Sequence, residues 1–543
     1  MFHQLITPVA GSLGLSFAAA TIPIAVVLVL LGVLRRPAWQ ASIAGVIVAL
    51  LLAVTVWQMP VGLALDSIAA GATFAAWPVM WIVANALLLY NISVASGRFD
   101  QFRAWMVEHL PNDSRVVLVV VGFAFGCLLE GVAGFGAPIA ITSALLVALG
   151  FKAIDAIVFT LMFNTAPVAF GALGSPVTTL AAVTQLHDVT LGAMIGRQLP
   201  IIALILPFYV IGVFGGMRAI RGVWPILLVA GGSFASVQFL SSNYLGYALT
   251  DVLSSLASLI VTLAFVKVWK LEHDPEYALR PAPGLALGAD LDEAGAAKSA
   301  VKPGWGGWAP WIILSVTVIV WVHLKLNLIG EHKIEWPGLH NQVFITAYGK
   351  PYAAVWSFQP LATGTAILAS TILTALLVRL TPAQFGAALK GTAKQVRLPL
   401  VTTMIIVGLA YLMNYSGIAY TLGIGIASVG VFFPLVSAFL GWLAVFLSGS
   451  DTSGNALFGN LQVVAARQLD LSPVLMAATN ASGGVLGKMI SPQNISTGTS
   501  TTECRGQEGA ILARTFKHSI FLTLVLGLIV LLQQYVFPGV IPQ

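Results

Sequence analysis

Four polar clusters interrupt an otherwise apolar chain, and their residue types suit binding of a small anion together with a proton. Residues 128–138 read LLEGVAGFGAP and set Glu130 among Gly131, Gly134 and Gly136. A carboxylate at membrane depth costs at least about 2.5 kcal/mol on insertion scales, and each glycine weakens a helix by roughly 1 kcal/mol against alanine. A segment that keeps both is a candidate site. The others are residues 164–176 (NTAPVAFGALGSP), 448–455 (SGSDTSGN) and 480–492 (NASGGVLGKMISP).

Hydroxyls and amides gather in these clusters: Asn164, Thr165, Ser175, Ser450, Thr452, Ser453, Asn455, Asn480, Ser482 and Ser491. They can hold a carboxylate and a neighbouring hydroxyl with few buried charges. Lys488 is the strong cation among them and could pair with a substrate carboxylate or with Asp451. Glu130 and Asp451 are the candidate proton-coupling acids, because intramembrane carboxyls commonly serve as proton relays. Glu130 ranks first. Each group also has a plainer role open to it. A single Ser or Thr can simply bond a neighbouring helix. Asp451 could cap backbone, and Glu130 could pair permanently with a buried cation.

Those side chains need elements that bring backbone to membrane depth. The chain has 543 residues, 58% hydrophobic and only 8% charged, against roughly a quarter charged in soluble domains. Apolar runs of about 20 residues recur from end to end, each long enough to cross the hydrocarbon. The fold class is an all-α polytopic membrane protein, and the net charge of +6 belongs to topology rather than to nucleic acid. The first run, 13–34, reads as a retained helix rather than a cleaved signal.

Two stretches have awkward lengths. Residues 116–151 and 432–469 are too long for one span and too short for two, so each is expected to be a re-entrant hairpin. Gly131, Gly134 and Gly136 mark one tip, Gly449 and Gly454 the other. Residues 156–183 and 474–498 are expected to be broken helices, with Pro167 and Gly171 marking one break and Gly487 and Pro492 the other; proline removes an amide donor. A broken helix offers free amides at an N-terminus, which suit an anion.

The reading is about twelve transmembrane helices plus two re-entrant hairpins. Residues 1–59 supply N-terminal helices. Residues 60–222 form repeat 1, with 60–76 at the interface. Residues 223–379 connect, with a cytoplasmic linker at 270–307 and an external loop at 327–357 whose structure the sequence leaves open. Residues 380–543 form repeat 2. Lys and Arg concentrate in loops assigned to the cytoplasm, which puts both termini outside.

The two halves match. Asn164, Gly171, Ser175 and Pro176 correspond to Asn480, Gly487, Ser491 and Pro492, and Leu129-Glu130-Gly131 corresponds to Leu447-Ser448-Gly449, at offsets of roughly 316–320 residues. Gly192-Ala193 with Arg197 matches Gly509-Ala510 with Arg514, and both arginines are expected to anchor helix ends. The topology makes the repeats inverted, an arrangement that puts binding sites near the midplane at interrupted segments.

These motifs resemble the lactate permease family. The resemblance is carried by 128–151 (LLEGVAGFGAPIAITSALLVALGF), 164–176, 196–200 (GRQLP), 229–243 (VAGGSFASVQFLSSN), 414–417 (NYSG), 449–462 (GSDTSGNALFGNLQ) and 487–495 (GKMISPQNI). It implies proton-coupled uptake of L-lactate, D-lactate or glycolate across a bacterial inner membrane, with the lipid bilayer, the 2-hydroxy acid and the proton as partners. A sodium-coupled carboxylate carrier and an anion channel are the alternatives. The eight histidines show no metal-ligand spacing, so neither an enzyme, a metal nor a cofactor is expected. Assembly as a homo-oligomer is left open.

Overall fold

The computed structural model describes the chain except residues 35, 135, 270, 273, 280–303, 501, 503 and 543, and except the side chains of 32, 33, 137, 305 and 327. Among the described residues, ten helices are long and apolar enough to cross a membrane, or eleven if one bent pair counts as a single span. About twelve were expected. Part of the difference lies in Asp188–Leu245, a run of 58 residues that would measure about 87 Å as one straight helix. Gly215 and Gly216 leave helical geometry there. Gly231 then packs so close to Leu204 that an added Cβ would stand 2.7 Å from its carbonyl oxygen. The run therefore folds back on itself.

Residues 60–76, expected at the interface, form the first half of the bent apolar run Val61–Ala95. Ala64, Ser67, Ala70 and Gly71 make its buried face. These small residues let its backbone meet Pro382–Ser416: an added Cβ on Gly71 would lie 2.6 Å from the Val407 carbonyl. Close approach through small residues is a common basis of helix pairing in membranes.

Both awkward stretches fold as helical hairpins. In hairpin 1, Ser114–Val132 is buried along its length, and Ala137–Ala148 forms the returning arm. Gly134 and Gly136 have φ of +54° and +86°, values that suit glycine. In hairpin 2, Phe433–Ser448 turns at Gly449, φ +71°, into Asp451–Gln468. The matched positions do not break alike. The first arm stays helical past Glu130 to Val132, whereas the second stops at Ser448, the counterpart of Glu130.

The broken helices differ in the same way. Ala153–Phe163 ends at Asn164, and Ala172, Leu173 and Gly174 all take positive φ. Broken helix 2 runs unbroken through Asn480 to Lys488 and restarts at Pro492. The reason is legible in the residues. Pro167 has no amide to donate and disfavours helix in the residue before it, while its counterpart is Gly483, which carries an amide. Gly487 and Gly454, expected to mark unwinding or a tip, are helical; so is Gly131. Gly487 serves packing, since an added Cβ would sit 2.2 Å from the Trp442 carbonyl. Gly487→Ala is therefore expected to cost about 1–3 kcal/mol through overpacking and to lower the thermal midpoint of the purified protein. Gly509→Ala, with nothing near, should leave it unchanged. Equal midpoints would show that the helices can part.

The stretch 327–357 forms strands. His332–Glu335 pairs with Val355–Phe358, and Val343–Ile345 pairs with Lys350–Pro351 and with the N-terminal Phe2–His3. The expected linker 270–307 falls mainly outside the described residues. Its described start is held: Asp274 and Glu276 pair with Arg218, and the Tyr277 ring lies under Arg115.

Candidate functional site

All four polar clusters converge. Glu130, in hairpin 1, accepts a hydrogen bond from Lys488 Nζ at 2.5 Å on Oε1 and one from Asn164 Nδ2 at 3.0 Å on Oε2. Lys488 comes from broken helix 2 and Asn164 from broken helix 1, so one carboxylate ties three elements together. Glu130 is 3% exposed and Lys488 5%. At that burial the pair holds only if both charges stay matched, because an unpaired ion in such a place is strongly destabilising.

Beside the pair lies a cavity of about 40 Å³, lined by Glu130, Ser175, Ser450, Asp451, Thr452 and Lys488, with Gln493 and Asn494 completing the polar wall. A water needs about 10–15 Å³ of such space, so the cavity takes roughly three waters. Three helix starts face it: the segment entering at Gly171 to Pro176, the helix from Asp451, and the helix from Pro492. Helix N-termini carry partial positive charge and free amides. With Lys488 they make this spot favourable for an anion, and Glu130 is the anion that fills it. Ala172 and Leu173, at φ +41° and +56°, hold a left-handed turn that costs L-residues about 1–2 kcal/mol each. Strain of this kind concentrates at functional sites.

Hairpin 2 is braced by amides. Ser437 donates to Gln462, and Gln462 Nε2 donates to Asn480 Oδ1 at 2.8 Å. Asn480 Nδ2 donates to Asn455 Oδ1 at 2.9 Å, and Asn455 Nδ2 reaches Pro176 O and Asp451 Oδ2, each at 3.2 Å. The sequence pair Asn164 and Asn480 thus separates in kind. Asn164 bonds the buried carboxylate, whereas Asn480 is a strut between helices.

The remaining expected residues divide similarly. Ser453 lies on a second cavity, of about 370 Å³, which also takes in Arg36, Trp39, Ser448 and Ser496 and shares Ser450 and Gln493 with the central one. Thr165 donates to Met162 O and does not line the central cavity. Ser482 and Ser491 keep buried hydroxyls without a partner, and so do Asp451 Oδ1 and Asn164 Oδ1. Gly171 leaves room for Glu130, whose Oε1 would be 3.1 Å from an added Cβ. Pro167 opens the short turn Val168–Phe170. Arg197 bonds Asn243 and Val540 O, and Arg514 pairs with Asp155 in the first turn of Ala153–Phe163, so each ties together segments far apart in the chain. A third cavity, of about 440 Å³, lies by His187, Trp336 and Tyr352 and has no wall residue in common with the central one.

Sequence reasoning missed Gln493 and Asn494, which lie just past the cluster it ended at Pro492. It also missed Asp251, buried at the start of Thr250–Val268. The signal was there, since Asp251 is an acid in an apolar run, like Glu130.

Comparison with known proteins extends the motif resemblance to nearly the whole chain. The L-lactate permease family matches residues 16–537. The chain is 39% identical over 561 residues to the glycolate permease GlcA of Escherichia coli (strain K12), covering 98% of each. It is 40% identical over 565 residues to the L-lactate permease of Bacillus subtilis (strain 168), covering 99% of each. Among solved structures it is similar to the YdaH transporter of Alcanivorax borkumensis, with TM-score 0.43, 15% identity, and coverage of 86% of this chain and 87% of that one. Matched from end to end and built of membrane-length apolar helices, this chain belongs to the L-lactate permease family and is a multi-pass membrane protein.

Proposed function

We propose that the chain is a secondary active transporter that takes up L-lactate, and the related D-lactate and glycolate, by proton symport across the bacterial inner membrane. The observation that carries this reading is Glu130 bound to Lys488 and Asn164 at the meeting of three helix starts. The names of the relatives, L-lactate and glycolate permeases, support the substrate class.

In the mechanism, ionised Glu130 occupies the anion position and excludes substrate. A proton on Glu130 removes its charge and loosens its hold on Lys488. The substrate carboxylate then takes Lys488 and the helix amides. Its 2-hydroxyl finds Asp451 Oδ1, Asn164 Oδ1 or Ser491, which have bonding capacity to spare. Proton and anion favour each other's binding, and the coupling is reciprocal. Lys488 faces one anion in both states, Glu130 or substrate, so the exchange itself leaves its buried charge paired. The central cavity is smaller than lactate, so loading requires the tips to part. The larger cavity at Arg36 shares Ser450 and Gln493 with it and serves as the cytoplasmic exit, which agrees with the positive-inside assignment of Arg36.

Uptake of labelled L-lactate into proteoliposomes tests this. An inward proton gradient should drive accumulation, by about tenfold per pH unit for one proton, and an uncoupler should abolish it. Accumulation that ignores the proton gradient and follows sodium would replace the proton with sodium. Unitary currents in a planar bilayer would mark a channel instead.

A further inference from the structure

Asp251 is a further buried acid, in the apolar run Tyr247–Val268, and the mechanism above gives it nothing to do. It is fully buried, and neither carboxyl oxygen has a hydrogen-bond partner. Among the neighbouring hydroxyls, Thr250 donates to Ser241 and Gly246 O, Ser254 to Thr250 O, and Ser258 to Ala230 O, while the Ser255 hydroxyl, one turn on, is buried and makes no hydrogen bond, to Asp251 or to any other group. An acid kept for structure would hold a donor, because a buried carboxylate with none is costly.

Its position is specific. Asp251 packs against Gly131, the residue after Glu130; an added Cβ on Gly131 would stand 2.9 Å from Asp251 Cβ. Asp251 does not line the substrate cavity, whereas Glu130 does. Asp251, on the helix Thr250–Val268, therefore abuts the turn of hairpin 1 that carries Glu130, with no side chain on Gly131 to hold the two helices apart. The charged and titratable groups that bear on Asp251 are Glu130, Lys488 and Cys127. The facing stretch 171–184 carries none, and 226–245 carries only Tyr244, which is exposed. Tyr247, just before the helix, bonds Asp188. His323 lies at the far, exposed end of Ala309–His323.

We propose that Asp251 is a second proton-holding carboxyl of the transport cycle, exchanging its proton with Glu130 across the turn that contains Gly131. The inference rests on the proton-coupled reading above. In the step, the proton leaves the Asp251 carboxyl and joins the Glu130 carboxylate. Asp251 becomes the anion and Glu130 neutral, so the total charge is unchanged. Asp251 takes its replacement proton from water admitted when the hairpin moves, which ends its brief period as a buried anion. The arrangement lets the proton reach Glu130 without crossing the space that the substrate fills.

Asp251→Asn keeps the shape and removes the titratable group. In proteoliposomes it should retain lactate counterflow at equal pH near the wild-type rate. It should lose gradient-driven accumulation, a deficit of about tenfold at one pH unit. In the infrared spectrum, a protonated-carboxyl carbonyl band of the wild type should vanish in the variant. Accumulation equal to wild type overturns the inference. Should the variant lose counterflow as well, the infrared spectrum decides: no band lost in Asp251→Asn overturns it. If wild-type accumulation itself ignores the proton gradient, it is the symport reading that falls.

Discussion

Lys488→Gln should abolish concentrative lactate uptake and weaken lactate binding by at least roughly thirtyfold, the lower end of the 2–5 kcal/mol that follows truncation of a buried charge partner. Two losses combine. The substrate carboxylate loses the one full positive charge on the cavity wall. Glu130, 3% exposed, loses the partner that bonds it at 2.5 Å, which costs on the order of 3–5 kcal/mol when it stays ionised. The second loss predicts a lower thermal midpoint for the single variant. It also predicts that Glu130→Gln added to Lys488→Gln restores most of the midpoint, since no buried charge is then left alone. Transport should stay absent in the double variant. Calorimetric lactate binding and thermal unfolding of all four proteins complete the cycle. Lactate affinity within about threefold of wild type in Lys488→Gln, less than about 0.7 kcal/mol, would remove Lys488 from the binding site.

Glu130→Gln alone should uncouple the carrier. A glutamine is permanently neutral, so Lys488 is free for substrate at every pH. Counterflow should persist, while accumulation against a gradient should vanish. The pH dependence carries the sign. In the wild type, one proton enters with each anion, so lactate affinity should fall by up to about tenfold per pH unit as pH rises where free Glu130 is ionised. In Glu130→Gln that slope should be flat, and affinity at alkaline pH should equal or exceed wild type. A slope like that of the wild type would move the proton site elsewhere. The variant also separates the symport mechanism from a fixed structural pair, in which its removal would weaken counterflow and accumulation alike.

How much of this was legible follows the range of each interaction. The hairpins could be read because their evidence is local: glycine spacing, and lengths that fit neither one span nor two. The breaks could be read because proline acts on its own residue and the one before it. The bent packing of Val61–Ala95 could not be read, since mild hydropathy does not say what a helix leans on; a row of small residues fitted to another backbone decided it. The strands of 327–358 were equally hidden, because one of them pairs with Phe2–His3. Asp251 could have been noticed as an acid in an apolar run, but its packing against Gly131 could not, because the two lie 120 residues apart in sequence.

By itself, the sequence determined that this is a polytopic membrane protein, and it singled out the polar, glycine-rich segments whose residues suit an anion and a proton. Those are properties of composition, spacing and local backbone. Only the tertiary structure decided how the groups pair. Glu130 and Lys488 are 358 residues apart in sequence, and Asn455 and Pro176 are 279 apart. No local rule ranks Glu130 above Asp451 as the partner of Lys488. A buried cation is neutralised by whichever carboxylate the packing brings within hydrogen-bond reach, and hairpin 1, helical two residues further than its counterpart, brings Glu130.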